Sequence, residues 1–161
     1  VAFALSIEPR IYYIESDDAR LLGAGPFPRT FPPIDVPVGL FYRNSPFVRK
    51  WEVKSAEDGS LLISTRTEFS RFDYNIINKD GKVYVSTEKT PQTWSVSPVG
   101  DDMFNIKLPY EDKVLTWNGG EFDAVITFEA AEGLPNQKWY FFRYDRYDNY
   151  HHGSINRFCR Q

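Results

Sequence analysis

Lys50-Trp51-Glu52-Val53-Lys54, Thr93-Trp94-Ser95-Val96-Ser97 and Lys138-Trp139-Tyr140-Phe141-Phe142 are three short runs, each with a Trp at its second position and each alternating like a β-strand. The Trp residues lie 43 and 45 positions apart. Two of them carry Gln at the same offset, in Gln92-Thr93-Trp94 and Gln137-Lys138-Trp139, where the first has Arg49. Self-similarity at a period of about 40 residues marks a repeat architecture, because a unit of that size hides its apolar face only against its copies. The spacing predicts one domain made of three similar parts.

Outward from these runs, period-2 alternation and β-branched or aromatic enrichment predict about twelve short strands and no helix. The first unit holds 11–15, 20–24, 35–41 and 50–55; the second 60–65, 72–77, 82–87 and 93–98; the third 103–108, 113–118, 124–129 and 138–144. Turns fall between them at Glu57-Asp58-Gly59, Lys79-Asp80-Gly81, Gly100-Asp101-Asp102 and Asn118-Gly119-Gly120, where Gly, Asn and Asp accept the positive φ that hairpins require. Three units of four strands, each closing on a Trp, predict an all-β fold, a β-trefoil: a six-stranded barrel capped at one end by three hairpins. The single domain would span 1–144, with repeats over about 11–55, 60–98 and 103–144. Trp51, Trp94 and Trp139 are then expected at equivalent core positions. Trp117 is out of phase with them and is the Trp expected to be exposed.

The 161 residues are the size of one domain with a sizeable core. A net charge of −3 supplies no field for a polyphosphate, so nucleic acid is not an expected partner. Nor is a membrane, since no run reaches the roughly 18 apolar residues of a spanning helix. The apolar start, Val1 to Ile7, lacks an initiator Met and reads as a trimmed or incompletely represented terminus. Cys159 is the single Cys and has no partner for an internal disulfide, which leaves the compartment open.

No catalytic constellation is expected. The two His residues, His151 and His152, are adjacent and share with Cys159 a polar tail, 145–161, beyond the last predicted strand. Their spacing matches no usual metal-ligand pattern, so neither metal nor cofactor is predicted. The pairs Asp17-Asp18, Asp101-Asp102 and Glu111-Asp112 read as solvated turn formers. Function is therefore expected in loops carried by a rigid barrel.

One loop stands out. From Ile11 to Trp51 is 40 residues, against 33 from Leu61 to Trp94 and 36 from Met103 to Trp139. The excess lies in residues 23–34, of which four are Pro. Pro fixes its own φ and biases its predecessor to extended geometry, leaving only Arg29 and Thr30 unrestricted near the centre. The stretch Gly25, Pro26, Phe27, Pro28, Arg29, Thr30 and Phe31 is expected to be stiff and protruding, with one long cation flanked by Phe. A substrate-like inhibitor of a trypsin-like serine protease needs such a loop, and Arg29 would be its P1 residue in a pocket floored by Asp. The same prolines would equally serve to cover the barrel's open end or to form a polyproline ligand. Lys54, Arg71 and Lys113 are further basic candidates without comparable stiffening.

The run Leu21 to Val53, with its Pro-rich stretch ending Pro32-Pro33-Ile34-Asp35-Val36-Pro37-Val38-Gly39 before Lys50-Trp51-Glu52-Val53, resembles the first repeat of the mushroom β-trefoil serine protease inhibitors. That resemblance is best over about the first 55 residues, and it implies a protease contact through the loop between the second and third strands, residues 25–31. The mycocypins, related fungal trefoils, imply papain-like targets instead. Gln-x-Trp in two of three repeats also resembles the ricin-type lectins. That likeness implies glycan binding, with Asp112, Trp117 and Asn118 as one candidate set and Asp73, Tyr74 and Asn78 as another.

Overall fold

The structure is a computed structural model, described over residues 6–67, 71–89 and 91–146. The tail beyond 146, including His151, His152 and Cys159, lies outside the described residues. Among the described residues there are twelve strands: β1 (Ile11–Ser16), β2 (Leu21–Ala24), β3 (Val36–Phe41), β4 (Trp51–Ser55), β5 (Leu61–Thr65), β6 (Tyr74–Lys79), β7 (Lys82–Ser86), β8 (Ser95–Pro98), β9 (Phe104–Lys107), β10 (Lys113–Asn118), β11 (Val125–Ala130) and β12 (Trp139–Arg143). Pro135–Gln137 form a short 3-10 turn before the last strand. Each predicted strand is found within two residues of its expected ends.

Six of the strands close a ring. Tyr12 of β1 lies opposite Trp51 of β4, Val53 of β4 opposite Ile63 of β5, and Leu61 of β5 bridges to Trp94 just before β8. Val96 of β8 faces Ile106 of β9, Phe104 of β9 faces Trp139 of β12, and Ile14 of β1 faces Phe141 of β12. The other six form three hairpins, β2–β3, β6–β7 and β10–β11. These meet one another where Val36 of β3 faces Val85 of β7 and where Lys82 of β7 faces Thr127 of β11. The β6–β7 connection is the two-residue loop Asp80-Gly81, with φ of 55° and 85°. Left-handed conformation at both positions matches the right-handed twist of the flanking strands, which is why an Asp-Gly pair stands there.

The core repeats with the chain. Trp51, Trp94 and Trp139 are all fully buried, as are Ile14, Ile63 and Ile106 of the first strand in each unit and Leu22, Ile76 and Leu115 of the second. The residue two before each Trp ties a hairpin to the ring. Arg49 Nε donates to Ala24 O at 3.1 Å, Gln92 Nε2 to Asn78 O at 3.2 Å, and Gln137 Nε2 to Ala130 O at 2.8 Å. The Gln-x-Trp pattern thus serves packing: the amide saturates hairpin backbone while the indole fills the core.

The second unit departs from the other two. The indole N–H groups of Trp51 and Trp139 donate to Leu22 O and Leu115 O, each at 3.0 Å. Trp94 Nε1 is buried with no hydrogen-bond partner among the described residues, and its ring stacks on Phe128 at 4.9 Å and 6°. Removing a buried donor is costly only where an acceptor is then left unsatisfied. Trp94→Phe is therefore expected to cost about 1–2 kcal/mol less than Trp51→Phe or Trp139→Phe in urea unfolding, the difference being one buried hydrogen bond.

Candidate functional site

The β2–β3 loop leaves the barrel at a tightly packed root. The backbone of Phe47, in the β3–β4 connection, runs against it: Ala24 N donates to Phe47 O at 3.0 Å. A Cβ at Gly23 would sit 2.1 Å from that oxygen, and one at Gly25, whose φ is +150°, would sit 2.6 Å from the Phe47 ring. Only glycine lets the two segments approach this closely. Phe27 then turns inward. Its ring lies 4.9 Å from that of buried Tyr74, and the Arg49 guanidinium sits 4.9 Å above it. At the far end Asp35 pairs with Lys79 at 3.2 Å, immediately before Val36 enters the sheet. The Gly25–Pro26 and Phe31–Pro32 peptides are cis.

Between these anchors Pro28, Arg29, Thr30 and Phe31 are exposed, Phe31 at 89%. The expected pair of protruding Phe residues is thus divided by role. Phe27 holds the loop down on Tyr74, and Phe31 stands out at the groove's edge. Two other basic candidates have carboxylate neighbours: Lys54 pairs with Glu52 at 3.2 Å and Lys113 with Glu111 at 3.5 Å. Arg71, the third, faces the loop across a groove of about 480 Å³ lined also by Phe27, Arg29, Phe31, Phe72 and Tyr74.

The residues considered for sugar binding are spread out. Asp112 precedes β10 and pairs with Lys107 at 2.9 Å, whereas Trp117 and Asn118 end the same strand. At about 3.3 Å per residue, an extended strand holds them more than 15 Å from Asp112. Asn118 Nδ2 donates to Glu129 Oε2 at 2.8 Å. Tyr74 is buried, Asp73 is engaged by Arg66 at 2.5 Å, and Asn78 Oδ1 accepts the Gly81 N–H at 2.9 Å.

Trp117 is half-buried and takes part in a network that nothing in the sequence foreshadows. Its indole N–H donates to Asp17 Oδ1 at 2.8 Å, and the Arg20 guanidinium lies 4.9 Å from its ring centroid. Arg20, nearly fully buried, pairs with Asp18 at 2.8 Å and donates to the carbonyls of Gly120 and Glu121, each at 3.1 Å. Tyr42 hydroxyl donates to Glu121 at 2.6 Å. Together Asp18, Tyr42, Trp117 and Glu121 line a recess of about 270 Å³. Asp17 and Trp117 are 100 residues apart in the chain, and only the closed ring brings them together.

Burial alone would raise the Asp18 carboxyl, but hydrogen bonds from Arg20 and Ser16 and the Arg20 charge outweigh it and hold it below its ordinary 3.8. A depressed folded-state value means that Asp18 stabilises the fold fully above its unfolded pKa and loses this contribution as pH falls through the lower one. Asp18→Asn is therefore expected to destabilise the protein at neutral pH and to flatten the decline in stability below about pH 4. Thermal midpoints across an acid series check this. An acid limb as steep as that of the parent would remove Asp18 from it.

No family model matches the sequence, and neither does any curated protein. Solved structures do. A proteinase inhibitor from Coprinopsis cinerea superposes with a TM-score of 0.71 at 12% identity, covering 86% of this chain and 99% of that one. ThreeFoil, a designed 3-fold symmetric protein, gives 0.65 at 14% identity over 82% of this chain and 97% of its own. The Macrolepiota procera ricin B-like lectin, solved with lactose, gives 0.60 at 15% identity over 86% and 99%. Identities this low establish a shared fold. The chain has the fold found in a fungal inhibitor and a fungal lectin, the two kinds of protein its sequence resembles.

Proposed function

We propose that this chain is a β-trefoil protease inhibitor acting on trypsin-like serine proteases, with the β2–β3 loop inserted like a substrate and Arg29 as its P1 residue. The observation that carries the reading is the construction of the loop: an exposed stretch with Arg29 at its centre, anchored by Gly25 and Phe27 on one side and by the Asp35–Lys79 pair on the other. A loop already held in shape pays little ordering entropy on binding. Arg29 carries a fixed positive charge suited to a carboxylate at the base of a specificity pocket. After attack by the enzyme's serine on the Arg29 carbonyl, the two anchors would keep the Thr30 amine beside the acyl group, so that resynthesis of the peptide bond competes with hydrolysis. The fold of the Coprinopsis proteinase inhibitor supports this reading. Titration against trypsin, chymotrypsin, subtilisin and papain tests it: tight inhibition of trypsin is expected. Inhibition of papain alone would move the contact to other loops.

A second reading is carbohydrate binding at Trp117, favoured by the recess of about 270 Å³ in which the indole meets Asp18, Tyr42 and Glu121. Carboxylates and an aromatic edge suit a sugar's hydroxyls and apolar face. A glycan array without hits, or binding unchanged in Trp117→Ala, removes it.

A further inference from the structure

The recess at Trp117 forms where the β10–β11 loop of the last unit meets the β1–β2 turn of the first, and its hydrogen-bonding groups are spent unequally. Its side-chain donors are used within the protein. Arg20 Nε and Nη2 both go to Asp18 Oδ2 at 2.8 Å, and Nη1 goes to the carbonyls of Gly120 and Glu121. The Tyr42 hydroxyl donates to Glu121 Oε1, and the Trp117 indole to Asp17 Oδ1. Acceptors are left over. Glu121 is exposed, and its second oxygen, Oε2, makes no hydrogen bond among the described residues. With Asp123, which accepts the Gly120 N–H at 2.6 Å, four carboxylates gather round one guanidinium.

We infer that this recess takes a sugar ring bearing a protonated amino group, the chemistry of a glucosamine-type glycan. The inference rests on the carbohydrate reading of the Trp117 site and is independent of the protease one. A neutral hydroxyl both donates and accepts, so against side chains that only accept, part of its hydrogen-bonding capacity is lost on burial. An ammonium only donates, and its bonds to a carboxylate are charge-assisted. Glu121 Oε2 would receive it, and the Asp18 carboxylate, held ionised by Arg20, would add to the field. Tyr42 and Trp117 would bound the apolar face of the ring. A space of about 270 Å³ equals about nine waters at ~30 Å³ each, which admits one ring and would be left largely unfilled by a lysine side chain.

The test is calorimetric titration of the full chain with a glucosamine tetramer whose amines are free, with its N-acetylated counterpart and with lysine amide. The free-amine oligomer is expected to bind at least about tenfold more tightly than the acetylated one, since acetylation removes the charge and adds a carbonyl that faces acceptors. Glu121→Gln, which keeps an acceptor for Tyr42, is expected to weaken that binding about tenfold and to lower its dependence on salt. Equal binding of the two oligomers, lost in Trp117→Ala, would overturn the inference and leave the carbohydrate reading standing. Binding of neither would end both. If Glu121→Gln and Trp117→Ala take up the free-amine oligomer like the parent, the amine is held elsewhere on an acidic surface and the inference falls. Lysine amide binding as tightly as the oligomer would assign the recess to a cationic side chain of a partner protein and overturn the inference as well. Should Trp117→Ala lower the thermal midpoint, the exposed Glu121→Gln decides alone.

Discussion

Arg29→Ala weakens inhibition of a trypsin-like protease by at least about a hundredfold and leaves the thermal midpoint nearly unchanged; that is the expected outcome if the β2–β3 loop is inserted as proposed. The two effects separate because Arg29 lies in the exposed part of the loop, while the loop's shape depends on Gly23, Gly25, Phe27 and Phe47 at its root. Truncating a charged anchor in a desolvated pocket leaves the enzyme's carboxylate buried and unpaired, a loss of several kcal/mol. Each 1.4 kcal/mol is tenfold in affinity, so about 3 kcal/mol already exceeds a hundredfold. Arg29→Lys should retain part of the affinity, since it keeps the charge but not the planar fork. Unaltered inhibition in Arg29→Ala would sink the assignment.

Trp139→Ala should cost about 3–5 kcal/mol, as a truncation at a fully buried position in the ring. Trp139 has no exposed surface, faces Phe104 across the β9–β12 pairing and donates its indole N–H to Leu115 O. Its removal opens a cavity where two units meet and leaves that carbonyl without its donor. At roughly 2–4 °C per kcal/mol for a domain of this size, the midpoint should fall by about 6–20 °C. Trp51→Ala should behave alike, its indole being bonded to Leu22 O in the equivalent way. Calorimetry on both variants is the check, and a loss below about 1 kcal/mol in either would contradict a core held by three equivalent Trp residues.

The strands and their threefold order were legible in the sequence, because strand formation is local in its signals. Alternation such as Trp51-Glu52-Val53 reports which face is buried, and Asp80-Gly81 supplies the positive φ of a hairpin without help from distant residues. The extra length and the prolines of the β2–β3 loop were visible for the same reason. What Phe27 and Phe31 do was not. Both sit beside Pro in a similar context, yet one packs on Tyr74 and the other is 89% exposed.

Those differences arise where units meet. The sequence by itself determined three four-strand units, their Trp core and the stiffened loop, all encoded within about 40 consecutive residues. Only the meeting of units placed Arg71 across from Arg29, seated Phe27 on Tyr74, and carried Asp17 and Arg20 to Trp117. A repeat carries the same signals in every copy and so specifies what each unit is. Which loop of one unit faces which turn of the next, and whether an Arg fills the space or a longer loop holds it open, depends on contacts between residues far apart in the chain.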